Sequence, residues 1–167
     1  MSETLAQYIV DALGGKISEE LIAFIVSMLP ILELRGGLIA AKMMDIEFAK
    51  AFAICFIGNM LPIPFILLFI RRIFSLLKKI PSVENTITKL EARSIRKAVN
   101  VKKYRLWGLF LFVAIPLPGT GAWTGALIAD LLDIRIKHSF PVIAAGVVVA
   151  GIIISALSYG LFGLLGF

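Results

Sequence analysis

Apolar residues in this chain gather into four long blocks, at about 21–44, 48–70, 106–132 and 140–167. Short polar turns separate them, except for one long basic segment at 71–105. An apolar run of about 20 residues is what a helix needs to cross the hydrocarbon core of a bilayer. The first and third blocks are interrupted. Pro30 stands inside the first, and Pro116-Leu117-Pro118-Gly119-Thr120-Gly121-Ala122-Trp123-Thr124-Gly125 fills the centre of the third. Proline removes a backbone N–H and clashes with the preceding turn, and glycine loses more entropy than other residues on becoming helical. Backbone groups freed at membrane depth must be satisfied by protein or by a water-lined cavity. Each interruption therefore predicts a broken helix that forms a binding site or the tip of a re-entrant hairpin.

The remaining segments read more simply. Residues 2–13 place Leu5, Tyr8, Ile9 and Leu13 on one face of a short interfacial helix, which Gly14-Gly15 ends. Ser18, followed by Glu19 and Glu20, predicts an N-cap with acids in the first turn. The second block contains Gly58-Asn59 and then Pro62-Ile63-Pro64, which predicts a kinked span. A polar Asn59 inside that span needs a partner. Residues 83–103 space Ile87, Leu90, Ile95, Ala98 and Val99 for a basic amphipathic helix along the headgroups. Gly146, Gly151, Gly160 and Gly163 in the fourth block suit close helix packing.

The two interrupted blocks match when the chain is shifted by 88 positions. Pro30 then falls on Pro118, Gly37 on Gly125, Ala41 on Ala129 and Asp45 on Asp133, without a gap. The proline, glycine and aspartate matches carry the comparison, because apolar stretches align easily by chance. We read an internal duplication, with repeat one at about 20–70 and repeat two at about 106–167 in a single membrane domain, 1–167.

Charge adds an orientation. Eleven of the 17 Lys and Arg residues lie at 71–105 with only Glu84 and Glu91, so this segment is strongly basic in a chain of net charge +6. No aromatic or glycine-rich nucleic-acid signature accompanies it, and nucleic acid is not an expected partner. The excess of positive charge places the loop on the cytoplasmic side, against anionic lipid. The opening Met-Ser-Glu-Thr has no basic n-region, so no cleavable signal peptide is expected. Cys55 is a buried small apolar side chain in this reading.

Two topologies follow. Four full crossings would make the repeats parallel. Re-entrant hairpins at the interruptions, each followed by one transmembrane helix, would make them inverted. Residues 1–20 carry four acids and one lysine, which suits the outside. Arg135, Lys137 and His138 beside Asp133 suit the inside. We prefer the inverted arrangement: an all-α integral membrane protein of two inverted repeats, with interfacial amphipathic helices.

Glu-Leu-Arg-Gly after Leu-Pro, Gly-Asn-x-x-Pro-x-Pro in the next helix, and Pro-Leu-Pro-Gly-Thr-Gly-Ala-Trp-Thr-Gly further on resemble the small multi-drug export protein family. The resemblance covers about residues 20–160. That family is similar in pattern to the wider DedA group of bacterial membrane proteins. The likeness implies paired re-entrant hairpins and transport in a prokaryotic cytoplasmic membrane. DedA-type proteins are linked to recycling of polyprenyl-phosphate lipids and to proton-dependent transport. Of their arginine pair only Arg35 is present here, since Trp123 takes the aligned place in the second repeat.

Charges inside an apolar block cost about 2.5–3.5 kcal/mol each at a helix centre, so Glu33 and Arg35 call for a role. Two residues apart on a helix they point to nearly opposite faces, so each needs an irregular backbone or a partner elsewhere. If the two broken helices meet at mid-membrane, they gather Glu33, Arg35, Gly36, Asn59, Pro118, Gly119, Thr120, Gly121, Trp123 and Thr124 into one substrate or ion site. Thr120 could cap the half-helix that starts near Gly121, leaving N–H groups that favour an anion. Arg35 is a donor fork for phosphate or carboxylate, and Glu33 a proton carrier. No metal cluster, cofactor motif or catalytic triad is present, and an enzyme is not expected. Three functions remain open: a proton-coupled exporter of amphiphilic or small solutes, a translocase of polyprenyl-phosphate or other anionic lipid, and a non-transporting scaffold. A homodimer is compatible with the small size.

Overall fold

The chain cannot run as four straight rods, because proline and glycine cut two of its apolar blocks, and the structure shows where. In a computed structural model, residues 2–77, 79, 81–97, 105–117 and 119–158 are described. Among them every regular element is a helix: α1 (Ser2–Leu13), α2 (Glu19–Met28), α3 (Glu33–Met43), α4 (Phe48–Met60), α5 (Ile63–Leu77), α6 (Pro81–Lys97), α7 (Leu106–Ala114), α8 (Ala122–Leu131) and α9 (Ile136–Ser158). Two helical stretches, Phe48–Ile70 and Ile136–Ala156, are long and apolar enough to cross a membrane. Only 33% of each is buried within the protein, so these are not the hidden core helices of a soluble domain. Ile57, Leu61, Phe65 and Leu68 form an outward apolar stripe on the first. A stripe of that size facing water would be an aggregation site; facing lipid it is ordinary.

The predicted interruptions are present. α2 stops at Met28 and α3 starts at Glu33, with a tight turn in which Leu32 and Glu33 both donate to Leu29 O. α7 stops at Ala114 and α8 starts at Ala122. Each of these helices has 9–11 residues. At about 1.5 Å per residue, that is about half a bilayer crossing. Ser18 caps α2 as expected, accepting from Leu21 N–H at 3.4 Å, with Glu19 and Glu20 in the first turn. Pro62 and Pro64 separate α4 from α5 as a kink in an otherwise continuous span.

The turns that close α3 and α8 have the same construction. Asp45 and Asp133 are both left-handed, at φ 54° and 55°. Ile46 N–H bonds Ala41 O at 3.0 Å, and Ile134 N–H bonds Ala129 O at 2.9 Å. A left-handed residue with a bond back across it releases the last carbonyls of a helix without leaving them unpaired. Aspartate tolerates that conformation better than most residues.

Packing then joins the halves. α2 lies on α3 and α4, and α7 lies on α9. Small residues set those contacts: a Cβ added at Gly58 would overlap Ser27 and approach Phe24 O, and one at Gly146 would overlap Val113. α3 of the first half packs on α9 of the second, and α5 packs on α8. α1 rests on α2 and α3 through Ala6, Ile9, Val10 and Leu13, while Tyr8 is 73% exposed and Leu5 also faces out. The face of α1 packed on the protein thus shares Ile9 and Leu13 with the expected apolar stripe and adds Ala6 and Val10, while Leu5 and Tyr8 stay on the outer side. α6 covers most of the predicted basic helix, and Ala98 and Val99 lie outside the described residues.

Replacing Gly58 by valine is expected to destabilise the protein by about 1–3 kcal/mol, the range for overpacking a tight contact. Ala53→Val, on the exposed side of α4, is the control and leaves stability unchanged. Thermal unfolding in detergent separates the two; equal melting temperatures would refute the packing assignment.

Candidate functional site at the two helix breaks

A helix that starts abruptly leaves N–H groups without partners, and the loop before it leaves carbonyls in the same state. At the second break these groups are served by the first. Ala122, the first residue of α8, donates its N–H to Glu33 Oε2 at 2.9 Å. Arg35 donates from Nη1 to Leu117 O at 3.0 Å and from Nη2 to Thr120 O. The two charges placed two residues apart at the start of α3 therefore serve opposite needs. The carboxylate meets the donors and the positive end of the α8 dipole, and the guanidinium meets the acceptors of the loop. Glu33 is only 5% exposed, which makes its partner a necessity rather than a convenience.

The local backbone is shaped for this contact. Glu33 is left-handed, at φ 51°, and Gly121 has φ 139° and ψ −171°. That last conformation is open essentially to glycine alone. A Cβ at Gly121 would occupy the space of the Glu33 carboxylate. The two positions correspond under the 88-residue shift, so the equivalent points of the halves touch. One contributes an acid, and the other contributes the absence of a side chain.

Thr120 does not cap α8. Its Oγ1 stays within its own loop, 2.7 Å from Ile115 O and 2.8 Å from Leu117 O, and accepts from Leu117 N–H. Gly121 occupies the cap position with no side-chain bond. The expected free N-terminus for an anion is thus occupied by Glu33, which reaches it from the other half of the chain.

Between the breaks lies a cavity of about 20 Å³, room for about one water molecule. Glu33, Arg35, Asn59, Thr120 and Gly121 line it, with Leu34, Val113, Pro116 and Ala122. α9 closes it with Val147, Ala150 and Ile154, residues that the sequence marked only as a packing helix. Asn59 is 1% exposed and its Oδ1 has no hydrogen-bond partner. Of the other expected site residues, Gly36 packs on the Leu32 side chain. Trp123 is half-buried against the core, its Nε1 buried without a partner. Neither it nor Thr124 lines the cavity, and Gly119 is an exposed left-handed turn residue. Pro118 lies outside the described residues. Ligand pockets usually measure about 300–1,000 Å³, so the breaks are closed on one another here. No group of three or more potential metal ligands occurs among the described residues.

Gly121→Ala combines backbone strain with a collision at a buried carboxylate, and is expected to cost more than the about 1–3 kcal/mol of strain alone. Gly15→Ala, at φ 74° with open space around it, carries strain alone. Melting temperatures of the two variants in detergent give the comparison; a Gly121→Ala loss no larger than that of Gly15→Ala would rule out the contact.

Comparison with known proteins bears on what this site belongs to. Searches of curated proteins and of solved structures gave no match. The family model described as "Putative small multi-drug export protein" matches residues 33–153, from Glu33, just past the first break, through the second break and most of α9. With that match spanning most of the chain, and two helices long and apolar enough to cross a bilayer, this is a membrane protein that belongs to the small multi-drug export protein family.

Proposed function

We propose that the chain is a proton-coupled secondary exporter of amphiphilic or small solutes, and that the contact between Glu33 and the start of α8 is its gate. The observation that carries this reading is the Glu33–Ala122 bond, which joins residues 89 apart in sequence at the one place where both helices are broken. In this state the carboxylate charge and the α8 dipole hold the breaks together. A proton on Glu33 removes that charge and weakens the contact. The cavity is too small for a solute, so transport requires the breaks to part. A gate that opens when it takes up a proton couples the two events.

The same reading makes each half a re-entrant hairpin followed by a transmembrane helix, in inverted orientation. The short helices on either side of each break support it. So does the opposite charge at corresponding ends. Glu19, Glu20, Asp45 and Glu47 outnumber Lys42 and Lys50 at the end of the first half, with Lys50 paired to Glu20 at 2.6 Å. Arg105, Arg135 and Lys137, with His138, outnumber Asp130 and Asp133 at the end of the second. Under the positive-inside rule the first end lies outside and the second, with the 71–105 segment, lies in the cytoplasm.

Lipid translocation of the DedA type is the alternative. It needs Arg35 as a phosphate ligand, whereas both of its Nη groups are engaged with loop carbonyls here. That engagement favours the exporter.

In proteoliposomes with a pH gradient and ethidium as the test cation, the wild-type chain is expected to couple ethidium movement to proton flux. Glu33→Gln keeps an acceptor for the Ala122 N–H but cannot cycle a proton, and coupling falls to background. Arg35→Ala leaves two loop carbonyls unpaired and lowers both activity and stability. Full activity in both variants would eliminate this site.

Topology has its own check. In a Cys55→Ala background, Glu47→Cys and Lys137→Cys are expected to react with an impermeant maleimide from opposite sides of the membrane. Reaction from one side would exclude inverted repeats.

A further inference from the structure

A second polar cavity lies at the other end of α8, one helix length from the breaks. It measures about 640 Å³, within the usual range for a ligand site. Arg105, Leu106, Asp133, Ile134, Arg135 and His138 line it. From these residues we infer a binding site for the phosphate of an anionic lipid headgroup.

The charge balance points that way. Arg105 and Arg135 present two permanent guanidinium groups, and the His138 ring offers a further hydrogen-bonding nitrogen. Asp133 is the acid among the described lining residues, and it already has an interaction of its own. Leu106 and Ile134 supply apolar surface beside the charges, which suits a glycerol backbone better than a free ion. α7 and α9 both begin at this cavity, and neither has an acid in its first turn. Their leading N–H groups add to the attraction for an anion.

The position fits a lipid. α9 enters its apolar span directly from this cavity, and α7 is apolar from Leu106 onward. Trp107, 74% exposed beside Arg105, marks the interfacial level. Basic pockets at the ends of membrane helices are where headgroups of anionic lipids are held.

The fold itself does not demand such a pocket. Shifted by 88 positions, the corresponding end of the first half is built the opposite way. Ser18 caps α2, Glu19 and Glu20 fill its first turn, and Lys50 is tied to Glu20. Where the second half has Arg135 and His138, the first has Glu47 and Lys50. One end is closed to an anion and the other is prepared for one.

The test uses the full chain in detergent, with native mass spectrometry after addition of phosphatidylglycerol or phosphatidylcholine. The wild-type protein is expected to retain phosphatidylglycerol preferentially. Removing two surface cations, each contributing about fivefold, should weaken that retention about 25-fold in Arg105→Gln/Arg135→Gln. Lys89→Gln/Arg93→Gln on α6 should not change it, and Arg105→Lys/Arg135→Lys should keep most of it, which guards against a folding defect. Equal retention by Arg105→Gln/Arg135→Gln and the wild type overturns the site. So does an equal loss in Lys89→Gln/Arg93→Gln, which would mean diffuse attraction to the basic surface. Displacement of phosphatidylglycerol by an equal concentration of glycerol 3-phosphate would assign the pocket to a soluble phosphate and overturn the lipid.

Discussion

Breaking a helix inside an apolar environment releases backbone donors and acceptors that have no water to turn to. This constraint shapes the centre of the molecule. The first break answers it for the second by sending two side chains across: Glu33 to an N–H group of α8 and Arg35 to two carbonyls of the preceding loop. Neither charge is cheap to place among buried apolar neighbours without a partner. Together with the groups they serve, each is paired, and the irregular loop between α7 and α8 is held in place without a regular hydrogen-bond ladder.

Under the proposed function, the same arrangement makes the centre switchable. A contact built on packing is insensitive to solution conditions, but one built on a carboxylate changes when a proton binds. In the proposed cycle, stability of the closed state and response to a proton therefore reside in one residue. The small cavity beside it, with the unpaired Asn59 Oδ1 on its wall, is one place where that closed state is incompletely satisfied. Buried polar groups with partners missing are costly. Such a place is a natural origin for opening.

The halves share their punctuation and differ in their chemistry. Both have a short helix, a break, a second short helix, a left-handed aspartate turn and a long apolar helix. At corresponding points, however, Glu33 faces Gly121, and Arg35 corresponds to Trp123. One half provides charged side chains and the other provides backbone, so the centre is complementary where two identical halves would repel. The ends diverge similarly, one net acidic and one net basic.

The local features were legible from residue order alone: the apolar blocks, the two interruptions, the Ser18 cap and the kink after Asn59. Each depends on residues within a turn or two of one another, and propensity, capping and proline sterics act at that range. Composition likewise made a membrane protein the natural reading. What residue order left open was where Glu33 and Arg35 find their partners, since those bonds join positions 82–89 apart. It also left open which face of α1 is buried, and that Thr120 turns back into its own loop. The cavity wall from α9 was hidden for the same reason, because Val147, Ala150 and Ile154 look like any lipid-facing residues until α3 lies beside them. Periodicity says that a side chain will be buried or paired. Only the packing of one half on the other decides by what, because that choice depends on distances no local pattern contains.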